Sequence, residues 1–157
     1  MKRALLYMIL IAAVLNAPVT GTDVGKLRPV QVIELYRDHG EYVIETDTGD
    51  RGVGSSGMDA LRDLKETTPA NIYLDTANHL LIGEDTDGEV EKLRPRLKPN
   101  VKVCRVRDRV DPKMAGEYLR VHQELPRLKV WKQHENLPIL EQFGERLKLL
   151  KKDEKRC

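Results

Sequence analysis

Cysteine and aromatic side chains are scarce in this 157-residue chain, which has two Cys, one Phe and one Trp. With Phe143 and Trp131 as the only large aromatics besides five Tyr, any core must be built from aliphatic side chains. No aromatic residues interleave the basic segments, so a stacking platform for nucleic acid is not expected. The only thiols are Cys104 and Cys157, and neither follows an N-terminal apolar segment, which excludes lipid attachment at a mature N-terminal Cys. Cys157 ends the chain, so an unpaired Cys104 is expected rather than a disulfide. Internal repeats and low-complexity tracts are absent as well.

Long apolar runs are also missing, apart from one near the start. Met1-Lys2-Arg3 precedes the twelve apolar residues Ala4 to Leu15, followed by Asn16-Ala17-Pro18-Val19-Thr20-Gly21. Twelve residues span about 18 Å of helix against a hydrocarbon core of about 30 Å. The pattern predicts a signal peptide over residues 1–21, cut after Ala17 or Gly21, with an uncleaved anchor as the alternative. The remaining chain, 22–157, is expected to be a single extracytoplasmic domain, secreted or at the outer face of the membrane.

The net charge of +2 belongs to Lys2 and Arg3, so the rest of the chain is neutral, but unevenly. Residues 22–91 have sixteen acidic and six basic side chains; residues 92–157 have nine acidic and nineteen basic. Within the second half Lys92, Arg94, Arg96, Lys98, Lys102, Arg105, Arg107 and Arg109 stand against a single acid, Asp108. Two readings follow. The halves neutralise each other within the fold, or the run is a contact surface for other proteins or for an anionic envelope or membrane surface. Nucleic acid is not an expected partner of an exported chain.

Periodicity sets the organisation. Val30, Val32, Ile33 and Leu35, the Asp38-His39-Gly40 turn signal, and the alternation through Tyr42, Ile44 and Thr46 predict a β-hairpin. Residues 48–56 read as a Gly-rich loop, and Met58, Leu61 and Leu64 predict a helix stopped by Thr67-Thr68-Pro69. Short strands are expected at 71–74, 79–82 and 101–106, and a helix over 89–97 ended near Pro95. Asp111-Pro112, an N-cap followed by proline, opens a further helix. Ile139, Leu140, Phe143, Leu147 and Leu150 predict a basic C-terminal helix from Pro138 through Lys152. The fold class is therefore α/β (α+β): a small mixed sheet with an N-terminal hairpin, packed by three to four helices.

Three motifs carry the outline of a chemistry. Gly52-Val53-Gly54-Ser55-Ser56-Gly57 has dinucleotide-fingerprint spacing, but its preceding strand is the second arm of a hairpin rather than a strand buried on both faces. The expectation there is a loop with Ser55 or Ser56 capping the helix. Asp47-Thr48-Gly49 with Leu80-Leu81-Ile82-Gly83 resembles elements of retroviral-type aspartic proteases, in which two such Asp share a proton across a dimer. Asp47 is the candidate residue of that remote peptidase reading. Gly83-Glu84-Asp85-Thr86-Asp87-Gly88 has the composition of a calcium loop but puts Arg94 where the bidentate carboxylate belongs, so it reads as an acidic turn that starts a helix. His39, His79, His122 and His134 share no metal spacing. No catalytic residue, cofactor or metal is expected.

A different pattern runs through Gly57-Met58-Asp59-Ala60-Leu61-Arg62-Asp63-Leu64, Thr68-Pro69-Ala70-Asn71-Ile72-Tyr73-Leu74-Asp75 and His79-Leu80-Leu81-Ile82-Gly83-Glu84. This resembles the N-terminal domain of the C subunit of bacterial spore germinant receptors, with Ala115 to Leu119 matching a later short helix and Leu27 to Tyr36 an earlier strand. The resemblance implies a non-enzymatic extracytoplasmic binding or assembly module in sporulation or germination. Family members are lipoproteins with further domains, so the expectation is a free-standing relative without a lipid tether. The alternative is an exported envelope-associated structural protein that uses the basic run 92–109.

Overall fold

The computed structural model describes residues 27–122, 124–132 and 136–150. The segment read as a signal peptide, His134 and Cys157 lie outside these residues.

A seven-stranded mixed sheet organises the fold, in the order β4-β3-β2-β6-β7-β8-β9. Its strands are β2 (Val32–Asp38), β3 (Glu41–Thr46), β4 (Arg51–Gly54), β6 (His79–Ile82), β7 (Lys102–Val106), β8 (Ile139–Phe143) and β9 (Arg146–Leu150). β2, β6, β7 and β8 run parallel through the centre, and antiparallel partners extend both sides. Two further strands, β1 (Leu27–Pro29) and β5 (Asn71–Tyr73), pair in parallel as a separate small sheet. The α+β class with a mixed sheet and an N-terminal hairpin is what the periodicity implied.

Among the described residues three α-helices cover the sheet: α1 (Gly57–Thr67), α2 (Asp87–Leu93) and α3 (Pro112–Val121). Alternation along β2 divides the packing. Ile33 and Leu35 face one core with Ala60, Leu61 and Leu64 of α1 and Val90 and Leu93 of α2. Val32 faces the other with Leu81, Cys104 and Leu140, closed by Ala115 and Leu119 of α3. A strand buried on both faces needs no polar alternation, and β6 is buried at all four positions.

Local chemistry sets the ends of elements. His39 (φ 47°) and Gly40 (φ 90°) form the two-residue β2–β3 loop, the two positive φ values that a type I′ turn demands. Ser56 Oγ accepts the Asp59 N–H at 3.1 Å to cap α1, and Asp111 accepts the Lys113 N–H ahead of Pro112 in α3. The helix expected over 89–97 is α2 followed by a single 3-10 turn at Arg94–Arg96, where Pro95 cannot continue the α-helical ladder.

Two expectations are corrected. The segment from Pro138 onward is not a basic helix but the β8–β9 hairpin. Phe143 pairs with Arg146 around Gly144 (φ +60°) and Glu145, and β8 adds to β7 in parallel so that Leu140 is enclosed. A spacing of apolar residues that fits one helical face also fits a hairpin once Gly144 reverses the chain. The Gly-rich loop at 48–56 likewise contains a strand, β4, paired with β3.

Candidate functional site

The basic run passes through α2, a 3-10 turn, β7 and the loop after β7. Five of its eight cations are paired with carboxylates. Lys92 meets Glu89 at 2.6 Å, Arg94 meets Glu91 at 2.7 Å and Arg105 meets Asp87 at 2.7 Å. Arg107 meets Glu141 at 2.7 Å and Arg109 meets Glu45 at 2.8 Å. Four of those five carboxylates come from the acidic half of the chain. Arg94 also donates to the carbonyls of Leu128 (2.6 Å) and Trp131 (2.9 Å) and lies over the Trp131 ring, so it fastens the 125–131 segment to α2. Among the described residues Arg96 and Lys102 meet no carboxylate, and Lys98 donates to Asn78 Oδ1 at 3.1 Å.

The motifs resolve into structural roles. A Cβ built on Gly52 would lie 2.2 Å from the Ala60 carbonyl oxygen, and one on Gly54 2.4 Å from the Ala60 N. These glycines let α1 lie directly on β4. The N-terminus of α1, where a pyrophosphate would sit in a dinucleotide site, is occupied by a carboxylate of the protein itself: Gly57 N donates to Glu89 Oε2 at 2.8 Å. Asp47 Oδ1 accepts the Gln31 and Val32 N–H groups at 3.0 and 3.2 Å, which ties the β3–β4 turn to the start of β2. In the acidic turn, Thr86 Oγ1 donates to the Gly83 carbonyl and Asp87 holds Arg105. Among the described residues no group of three or more His, Cys, Asp or Glu is placed to hold a metal ion.

Two buried titratable groups stand out, Glu34, which the sequence analysis did not single out, and His79, which it named as a histidine without metal spacing. Glu34, on the central strand β2, is wholly enclosed. Its Oε1 accepts the Val110 N–H at 3.2 Å and its Oε2 has no hydrogen-bond partner. Burial raises its pKa to about 8; the Val110 N–H opposes this, and the Glu45 carboxylate beside it on β3 adds to it. Glu34 is therefore a neutral acid at pH 7. Cys104, on the same face, is a free buried thiol whose pKa burial pushes up to about 12. A Glu inside the run Val30 to Tyr36 was the available signal.

The second group is His79, first residue of β6, which is 7% exposed. Burial, reinforced by Lys102 at its register position on β7, lowers its pKa to about 4, so the imidazole is neutral. Among the described residues it has no hydrogen-bonding partner, and its Nε2 is sealed from solvent. His79 lines a cleft of about 400 Å³ at the amino ends of β2 and β6. Lys113, Gly116, Glu117 and Arg120 face that cleft from α3, at positions i, i+3, i+4 and i+7 of one helical stripe. Gly116 lets the helix come close, since a Cβ there would lie 2.9 Å from Val32 Cγ2. His39 is exposed in its turn and His122 stacks on Tyr118 with ring centroids 4.0 Å apart, so these three histidines do not converge.

No helix among the described residues is long and apolar enough to cross a membrane. The chain matches no family model, no curated protein and no solved structure.

Proposed function

We propose that the chain is a non-enzymatic extracytoplasmic module that works by contact with other proteins, similar to the first domain of germinant receptor C subunits and acting in sporulation or germination. The observation that carries this reading is the segment Gly57 to Glu84. Its shared positions are scaffold: Ala60, Leu61, Leu64 and Leu74 are core, Leu80 to Ile82 form the buried strand β6, and Gly83 lies against Tyr36. A pattern made of core and turn positions supports a shared fold used as a platform rather than a shared reaction.

The pairing of Arg94, Arg105, Arg107 and Arg109 within the fold favours protein contact over attraction to an anionic polymer, because neutralised cations contribute little long-range field. Deleting the gene in its spore-forming host tests the proposal. Delayed germination, with the protein recovered in spore membrane fractions and cross-linked to another polypeptide, is the expected result. Normal germination timing with no protein in spore fractions overturns it.

A further inference from the structure

We propose that the amino ends of β6 and β7, with the 126–130 segment packed beside them, form a docking surface for an acidic segment of a partner protein, centred on Lys102 and Arg127. The inference rests on the protein-contact reading and supplies the chemistry of that contact.

The central observation is an unfavourable pair. Lys102 and Arg127 oppose each other across an isolated antiparallel bridge. Val103 N donates to the Pro126 carbonyl at 2.8 Å on one side of the pair, and Leu128 N to the Val101 carbonyl at 2.7 Å on the other. Lys102 and Arg127 thus hold a non-hydrogen-bonded position, where antiparallel backbones approach most closely and the two side chains share a face. Like charges set directly opposite are destabilising, yet the main chain holds these two together. Neither forms an ion pair with a carboxylate among the described residues. Lys102 also disfavours protonation of His79, its register partner on β6, so its charge is felt rather than cancelled.

Two more cations adjoin the pair. Lys98 Nζ donates to Asn78 Oδ1 at 3.1 Å, and the Asn78 carbonyl accepts the Lys102 N–H at 2.8 Å. Lys129 N donates to the Pro99 carbonyl at 3.0 Å, which sets Lys129 beside residues 98–102. The segments 75–78, 98–102 and 124–129 thus carry these four cations against two acids, Asp75 and Glu124. The neighbouring cleft under α3 does not alter that surplus, because its Lys113 and Arg120 stand against Asp47 and Glu117.

The composition of the surface favours a peptide. Val130, next to Lys129 and 59% exposed, offers an apolar contact among the cations. Trp131 is only 2% exposed, so it gives a nucleic-acid base nothing to stack on. A small net surplus is weak for a bilayer, which is held by several unopposed cations. Carboxylates reaching both members of the opposed pair would relieve their repulsion directly.

The full chain is titrated against fluorescein-labelled octaglutamate at about 150 mM salt, followed by anisotropy, with octaglutamine as the neutral probe. Saturable binding of octaglutamate alone is expected. Arg127→Glu separates docking from folding: it turns the opposed pair into an ion pair, so it should raise the melting midpoint while weakening octaglutamate at least about tenfold. The Arg127→Ala/Lys129→Ala variant, at two exposed positions, should weaken binding at least about fivefold. Lys65→Ala/Arg146→Ala removes the same charge from exposed positions elsewhere and should bind as wild type. The proposal is overturned if octaglutamate does not bind, if the two double variants lose binding equally, or if Arg127→Glu melts below wild type. Adsorption to mixed phosphatidylserine–phosphatidylcholine vesicles without peptide binding overturns it in favour of a bilayer. Each of these failures leaves germination timing and cross-linking to another polypeptide unchanged, so the protein-contact reading fails separately.

Discussion

The Glu34 carboxyl accepts the backbone N–H of Val110 at 3.2 Å, joining residues 76 apart in sequence. The contact fixes the loop after β7 over the central strand and leaves the other carboxyl oxygen unpartnered. Because burial raises this acid to about 8 from an ordinary value of 4.5, the folded chain holds a proton between those pH values that the unfolded chain has released. Its stabilising proton is fully bound in both states below about 4.5. Stability then falls as pH rises and stops falling above about 8, a total on the order of 3–5 kcal/mol. Glu34→Gln keeps the acceptor for Val110 and cannot ionise. Urea melts should find it more stable than wild type at pH 9 and level with or below it at pH 5; an equal difference at both pH values would refute the assignment.

His79 acts with the opposite sign. Its pKa falls to about 4 from 6.5, so stability is lost as pH drops from 6.5 through 4, where the unfolded chain takes up a proton that the folded chain refuses. Between about 4.5 and 6.5 the two groups cancel, one proton each way. Wild type should therefore show a plateau there, Glu34→Gln a slope that rises with pH, and His79→Gln a slope that falls. Parallel curves for all three proteins would show that neither group controls the profile.

Gly52→Ala should be among the most damaging single-methyl additions in the chain. The new Cβ would meet main-chain atoms of α1 at 2.2 and 2.5 Å, which cannot rotate away. We expect a loss of about 3 kcal/mol or more, or failure to fold. Gly144→Ala, in open space but at φ +60°, should cost only about 1 kcal/mol. Equal denaturation midpoints for the two variants would contradict this account.

Each edge of the sheet has an outward N–H covered by a helix side chain. Val53 N on β4 donates to Asp63 Oδ2 of α1 at 2.8 Å, and Leu149 N on β9 donates to the Tyr118 hydroxyl of α3 at 3.1 Å. Asp63→Ala and Tyr118→Phe should each cost about 1 kcal/mol. Together they should raise concentration-dependent association in sedimentation, because exposed edges template strand pairing. A double variant that sediments as wild type would discount the edge role.

The legible parts were those written in local chemistry. His39-Gly40, Ser56, Asp111-Pro112 and Pro95 act on their immediate neighbours, and the structure places a turn, two caps and a helix end there. What misled was spacing without partners. Leu140, Leu147 and Leu150 satisfy a helical stripe equally well, and only the vacant edge of β7 decides for a hairpin. Gly52 and Gly54 read as a phosphate loop because their true requirement, the close approach of α1, is tertiary. The His79 cleft was hidden for the same reason, since Gln31, Asp47, His79 and Arg120 share no local pattern.

Cys104 has a consequence of its own. A thiol enclosed between β6 and β8 with a pKa near 12 offers almost no thiolate to an alkylating reagent while the sheet is closed. Alkylation at this position in a Cys157→Ser background would proceed only through opening of the central strands. The chain thus contains an internal clock, a single sulfur whose modification rate counts how often its innermost layer comes apart.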